Sequence, residues 1–384
     1  MGKPFWKGLL PLLGIFACAH PSAEQRAHAL DASRAAIAPD AEPALPTDPP
    51  KDGKPAFNAE YYLGSKADED ASFEKFTAEI RGIQQEQARE HHQPIQRGFH
   101  AKSHGCLSGT LDVAADRDPR TRFGIFAGPL EQYPVVVRFS NGVGWKQEDS
   151  ALDARGMAVK VLEVPGAKYN ADESNTQDFL MTNSPTPVGR DAVEFMKFAH
   201  ANAKGKVAGI FFLIGHPRTA APALLKTGPI DSTVTAQYWG GGAFHLGAQQ
   251  AVKFTSKPCA DTPSRKTKHG HGDYLHEDLV DAAAKGICMG FFVQFQVDPD
   301  ETPIENASKA WDEERSPLVH VADIHLPAQT LETQDACDKL SYSPWHSIAA
   351  HKPMGHINRA RRFVYEASRV ERHGGGEPSQ PAQK

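Results

Sequence analysis

Residues 351–373 read HKPMGHINRARRFVYEASRVERH. After Gly355 neither Pro nor Gly interrupts the run, and good helix formers dominate it, so the pattern predicts a helix over 358–372. Arg361 and Tyr365 lie four residues apart and therefore share one face of that helix. A fixed cation beside a phenol favours the phenolate, and a helical phenolate backed by arginine is the kind of oxygen that ligates ferric haem iron. By itself the pair is an ordinary surface spacing, so its meaning depends on the rest of the chain.

With 384 residues, 40% hydrophobic and 23% charged, the chain carries enough apolar material for a sizeable core in one large domain or two ordinary ones. A formal net charge of −5 leaves no footprint for a polyanion, which argues against nucleic acid as a partner. Lys3 and Lys7 followed by a short apolar run to Ala17-Cys18 predict export over residues 1–18, by plain secretion or through a lipoprotein signal with Cys18 lipidated. The run is too short for a permanent membrane span. The expected location is periplasmic or lipid-anchored in a bacterial envelope. Cys106, Cys259, Cys288 and Cys337 then allow three disulfide pairings, among which the sequence does not choose, with buried free thiols as the alternative.

Residues 19–60 are rich in Ala, Pro and Asp and predict a disordered tether; residues 374–384 predict a disordered tail. Between them, 61–373 predict one folded body. Helices are expected over 73–89, 190–204 and 275–285. β-Branched runs are expected as strands over 109–114, 135–141, 156–164, 179–182, 252–255, 290–297 and 318–326. Strands paired across such irregular gaps give an α+β class: an antiparallel β-barrel with surrounding α-helices.

Three clusters carry candidate chemistry. In RGFHAKSHG, 97–105, His100 precedes a strand and suits general acid–base work near neutral pH. In VVVRFSNG, 135–142, Arg138 and Ser140 share one side of a strand, the serine suited to orient an imidazole and the arginine to meet a carboxylate. In TQDFLMTNSPTPVGRDAVEF, 176–195, Asn183 offers a hydrogen bond to a bound peroxide and Phe195 sits in the following helix. KHGHGD, 268–273, offers His269, His271 and Asp273 as metal ligands but reads better as an exposed loop, and His91-His92 as a solvated helix end. Phosphate-loop, GxSxG and HExxH patterns are absent.

The order RxxHAK, VRFSNG, DxRGMAVK, a DFL-N-P segment and finally RxxxY resembles the catalase superfamily, and within it the small bacterial catalase-related haem peroxidases. PMGHINRARRFVYEAS, LGAQQAVKF and SPLVHVADIHLPAQ extend the likeness, which runs from about Gln93 to Arg372. The resemblance implies a catalase-like barrel and a ferric haem b. It implies His100 as the distal histidine, Ser140 as its hydrogen-bond partner, and Tyr365 as the metal ligand backed by Arg361. Arg97 and Arg138 would meet haem propionates, and Phe195 would lie beside the haem. For the distal amide, an ungapped reading points to Thr182, but Asn183 is preferred, because the resembling subgroup carries its asparagine there and threonine has no amide to offer. Phe99, and Thr186 to Val188, depart from the pattern. The implied function is a haem-dependent peroxidase or catalase-type enzyme cleaving the O–O bond of hydrogen peroxide or an organic hydroperoxide. Its partners would be the peroxide or lipid hydroperoxide and a small-molecule reductant, with a membrane met only through a lipid anchor and a homo-oligomer allowed. The alternatives are fatty-acid hydroperoxide rearrangement of the allene oxide synthase kind and a non-catalytic haem-binding protein.

Overall fold

The computed structural model describes residues 45–373 apart from 129, 167, 169–174, 218–227, 261, 263–264 and 266–271. The expected signal segment with Cys18, the first part of the expected tether, the tail 374–384, and His269 and His271 lie outside the described residues.

Among the described residues the strands are β1 Ser103–Val113, β2 Gln132–Asn141, β3 Arg155–Val161, β4 Gln177–Thr182, β5 Tyr238–Gly240, β6 Ala243–His245, β7 Ala251–Pro258, β8 Ile287–Phe295, β9 Val319–Leu326 and β10 Pro353–Met354. The helices are α1 Lys66–Glu90, α2 Ala192–Ala203, α3 Lys206–Gly215, α4 Tyr274–Ala283, α5 Gln334–Lys339 and α6 His356–His373. Eight strands follow one another in the order β7-β5-β4-β3-β2-β1-β9-β8, and a further β7–β8 pairing closes them into a ring. Every pairing in the ring is antiparallel. Closure removes the free edges that an open sheet would expose. The α+β barrel with outer helices expected from the sequence is the fold observed. No helix among the described residues is long and apolar enough to cross a membrane.

The barrel interior is filled by one side of each strand. Val137 and Phe139 of β2, Met157 and Val159 of β3, Phe179 and Met181 of β4, and Phe254 and Phe291 from β7 and β8 belong to one buried cluster. The period of two that puts these residues inside sends their neighbours outward. Outside the barrel a second cluster joins Phe73, Phe76 and Ile83 of α1, Met196 of α2 and Ala360 of α6.

Local chemistry sets the helix ends. Ser65 caps α1 by accepting from the Asp68 amide, while the Asp68 carboxylate accepts from the Ser65 amide. α6 starts after Gly355, whose φ of +86° and closeness to the Ile304 carbonyl leave no room for a Cβ, which would meet that oxygen at 2.7 Å. Within the stretch expected to be a tether, residues 45–60 are described: Thr47 bridges to Tyr61, the Asn58 amide donates to Gln296 Oε1, and Glu60 is buried. The body therefore takes in residues ahead of Tyr61. The cysteines pair as Cys106–Cys337 and Cys259–Cys288. The first ties β1 to the end of α5.

Candidate functional site

The outward residues of three neighbouring strands form the floor of a cavity. In register, Ser140, Gly156 and Thr182 make one cross-strand row, and Arg138, Ala158 and Leu180 make the next. All six line a space of about 830 Å³, part of it open to solvent, and α1 and α6 supply the other wall through Ile80, Arg361, Val364 and Tyr365.

At one end the imidazole of His100 lies on the floor. Its Nδ1 is 3.1 Å from Ser140 Oγ. Gly156 is flat beneath it: a Cβ there would come within 2.5 Å of Nδ1, 2.7 Å of Cε1 and 2.8 Å of Ser140 Oγ. His100 itself has a φ of +59°, a left-handed conformation that a non-glycine residue keeps only under constraint. The constraint is visible. The His100 amide donates to the Gly142 carbonyl at 2.8 Å, the His100 carbonyl accepts from Arg138 Nη2 at 2.9 Å, and Asp153 Oδ2 accepts from the amides of Gly142 and Val143. Burial and the nearby positive charge of Arg138 push the His100 imidazole down to about 3, so it is neutral at ordinary pH.

Tyr365 enters from the helical wall. The Arg361 guanidinium carbon lies 5.6 Å from the centre of its ring, the one-turn spacing read from the sequence. Arg361 is itself held, with Nη1 donating to Asn358 Oδ1 at 3.1 Å, and Asn358 is fixed by the Ala243 carbonyl and Trp345 Nε1.

The other end is cationic. Arg97, Arg138, Arg369 and Arg372 all line it. Asp338 is the carboxylate between them, 3.3 Å from Arg97 Nη1 and 3.8 Å from Arg138 Nη2. The carbonyls of Asp338 and Leu340 accept from both Arg97 and Arg372. Burial and the neighbouring guanidiniums push Arg138 down to about 9 and Arg372 to about 8. Guanidinium stays protonated in proteins, so these buried like charges are held close together and an anion among them would be stabilised. Arg138 Nε and Arg372 Nε are buried without a hydrogen-bond partner among the described residues. Two unfilled guanidinium donors, a phenol and an imidazole on facing walls, and a floor flattened by Gly156 and Ala158 fit a planar macrocycle with carboxylate arms. Haem is such a group.

Six of the eight residues expected from the sequence meet in this cavity: Arg97, His100, Arg138, Ser140, Arg361 and Tyr365. Two do not line it. Asn183 is turned away, its Oδ1 accepting from the Arg155 amide at 2.7 Å, and Thr182 lines the cavity in its stead. The reason is strand parity, which puts Thr182 on the side of Leu180. Phe195 lies one layer back, its ring 5.2 Å from that of Phe99, and Phe99 is the ring at the cavity. Arg369 and Arg372, which follow Arg361 and Tyr365 at helical spacing, also line the cavity and were missed, as were Tyr342 and Ser368. Asp273, at the end of the expected exposed loop, pairs with Lys102 Nζ at 2.7 Å.

Residues 74–209 match the family model described as Catalase. Catalase A of Emericella nidulans is 24% identical over an alignment 324 positions long, gaps included, which covers 74% of this chain and 41% of that protein. The chain thus spans about two-fifths of the length of that curated relative. Among solved structures, a fungal catalase superposes with a TM-score of 0.62 at 19% identity, covering 87% of this chain and 71% of that one. Catalase A from Saccharomyces cerevisiae superposes with 0.61 at 17% identity, covering 85% and 71%.

Proposed function

We infer that this chain, a member of the catalase superfamily, holds a ferric haem b in the cavity and uses it to cleave the O–O bond of a peroxide. The observation that carries the reading is the convergence of His100, Tyr365 and a cluster of arginines short of an anion on one slot. When bound, the haem supplies the redox chemistry of O–O cleavage.

The residues then divide the work. Tyr365 would offer its oxygen to the iron, and Arg361, 5.6 Å from the ring centre, would hold that ring in position. Arg97, Arg138 and Arg372 would meet the carboxylate arms. His100, neutral and held through Nδ1 by Ser140, takes the proton from one peroxide oxygen and gives it to the other, so that the departing oxygen leaves as water or an alcohol. Phe99, backed by Phe195, narrows the approach and excludes water. Motif order supports a place among the small peroxidase-like members, with a small-molecule reductant as co-substrate. The two disulfides support an oxidising compartment, and hence the export read from residues 1–18.

Two expected results test this. Reconstituted wild-type protein takes up haem at one per chain with the absorption of a phenolate-ligated ferric iron, and Tyr365→Phe loses that signature and most of the haem. Full occupancy with an unaltered spectrum in Tyr365→Phe would remove the ligand assignment. Gly156→Ala pushes the imidazole off the floor, and a displacement of about 1 Å lowers peroxide turnover by about 10²-fold. Haem occupancy is read in the same samples, so that turnover is compared per haem bound.

A further inference from the structure

Away from the cavity, the outer face of β7, β8, β9 and β1 gathers a second set of polar side chains. Cross-strand pairing sets Lys257, Gly290, Asp323 and Asp112 in one row. The neighbouring row runs Cys259, Cys288, His325 and Thr110, with the Cys259 amide donating to the Cys288 carbonyl at 3.2 Å. Gly290 has no side chain, and the Asp323 carboxylate lies over it: a Cβ at Gly290 would stand 3.6 Å from Asp323 Oδ1. A carboxylate oxygen of Asp323 and both sulfurs thereby lie within 4.8 Å of one another. His320 Nε2, 2.9 Å from Asp323 Oδ1, holds the carboxylate there. Lys257 carries its ammonium over the Phe292 ring, 4.6 Å from its centre.

The two sulfurs are joined as a disulfide, half-buried at both cysteines, whereas Cys106 and Cys337 are only 0% and 1% exposed. A reductant therefore reaches Cys259–Cys288 first, since exposed disulfides are the labile ones. We propose that reduction turns this pair into a metal site, in which Cys259, Cys288 and Asp323, with His325 as the fourth ligand, bind a thiophilic divalent cation such as zinc. A dithiol reductant breaks the S–S bond, supplies two electrons and two protons, and closes to its own disulfide. The metal then displaces the two thiol protons. Thiolates on a tetrahedral zinc, each about 2.3 Å from it, stand about 3.8 Å apart. Rotation about the Cα–Cβ bonds reaches that separation over Cα atoms 5.5 Å apart. His325 is exposed, its Nε2 3.8 Å from Asp112 Oδ2, and a change of rotamer turns it toward Cys288, its neighbour in the row. Two thiolates, an imidazole and a carboxylate are a zinc donor set and a poor one for magnesium or calcium. The site lies outside the haem cavity and does not depend on the function proposed above.

The test uses the full chain as expressed, reduced with a phosphine, which leaves no thiol to compete for metal, and then dialysed against zinc without oxygen. Folded protein is expected to gain two thiols over the untreated sample, and four only after denaturation. By elemental analysis the reduced protein takes up one more zinc per chain than the untreated protein. Zinc X-ray absorption then reads two sulfurs at about 2.3 Å and nitrogen or oxygen at about 2.0–2.2 Å. Asp323→Ala and His325→Ala leave the cysteines in place, and each weakens zinc binding about tenfold or more. Cys288→Ser takes up no extra zinc. Should that variant not fold, reduced wild type alkylated with iodoacetamide before zinc is added gives the same result. A gain of none or of four thiols in folded protein overturns the proposal, as does a reduced protein without extra zinc. Equal uptake after alkylation, or an unchanged affinity in either alanine variant, overturns it too.

Discussion

Replacing His100 with alanine is expected to leave haem occupancy near the wild-type level while peroxide turnover falls by roughly two or more orders of magnitude. The size follows from what else stands on that wall. Arg138 is a cation, and Ser140 and Thr182 are hydroxyls, so none of them accepts a proton near neutral pH. The imidazole is also unusual in staying neutral well below the ordinary histidine range, held down to about 3 by burial and the Arg138 charge. Turnover should therefore persist as pH falls through about 6.5, where an exposed histidine would take up a proton. Haem-loaded His100→Ala that turns over peroxide at the wild-type rate would end the proposed proton path. A wild-type acid limb centred near 6.5 would contradict the buried, neutral ring.

Arg359→Met is expected to have the largest effect on stability. Arg359 Nη1 lies 3.0 Å from both Glu60 Oε1 and Glu305 Oε1, and Nη2 and Nε lie 2.7 and 3.0 Å from the two oxygens of Glu69. Nη2 also donates to the Tyr61 carbonyl. Burial pushes Glu60 up, yet His245, Arg359 and Lys352 outweigh it and hold the group below its usual range. For Glu305 burial wins over Arg359 and the carboxyl is raised. Methionine keeps the volume and removes the charge, taking the cation from Glu69 and Glu305, while Glu60 keeps Lys352 Nζ at 3.6 Å. Breaking a buried ion cluster from one side costs about 3–5 kcal/mol. Chemical denaturation measures it, and a change under about 1 kcal/mol, the level of an exposed pair, would show that the cluster is solvated. The same variant should free residues 45–61 to limited proteolysis, because Glu60 and Tyr61 are docked through this arginine. Two residues further along α6 comes Arg361, so the cluster also fixes the helix that presents Tyr365.

Much of this arrangement is written in local pattern. β2, β3 and β4 alternate so cleanly that Arg138 and Ser140 had to face away from Val137 and Phe139, and the expected helix over 358–372 is α6, extended to His356–His373. The same parity identifies Thr182, not Asn183, as the residue beside Leu180 and the missing Cβ of Gly156. An amide is the better donor, but strand parity turns that of Asn183 toward the Arg155 backbone. Arg369 and Arg372 were also legible, since they continue the face of Arg361 and Tyr365 by one and two turns. Other features had no local signal. β5, β6 and β10 are two or three residues long, too short for any period to register. The barrel's closure through β7 and β8 and the choice among three disulfide pairings depend on which distant segments meet, and Phe195 was displaced only because the Phe99 ring stands in front of it.

The Cys106–Cys337 bond carries one more consequence. It spans 231 residues, starting on the strand that pairs with Arg138 and ending one residue before Asp338. Every strand of the closed ring except part of β1 lies inside that covalent loop, as do Gly156 and Thr182. A single backbone cut anywhere between the two cysteines leaves one molecule, because the cross-link joins the pieces. The acidic and carbonyl groups that hold Arg97 and Arg372 stay fastened to β1, where the cavity's cationic end begins. Nicked protein should run as two fragments only after reduction, and until then it keeps its arginines in place.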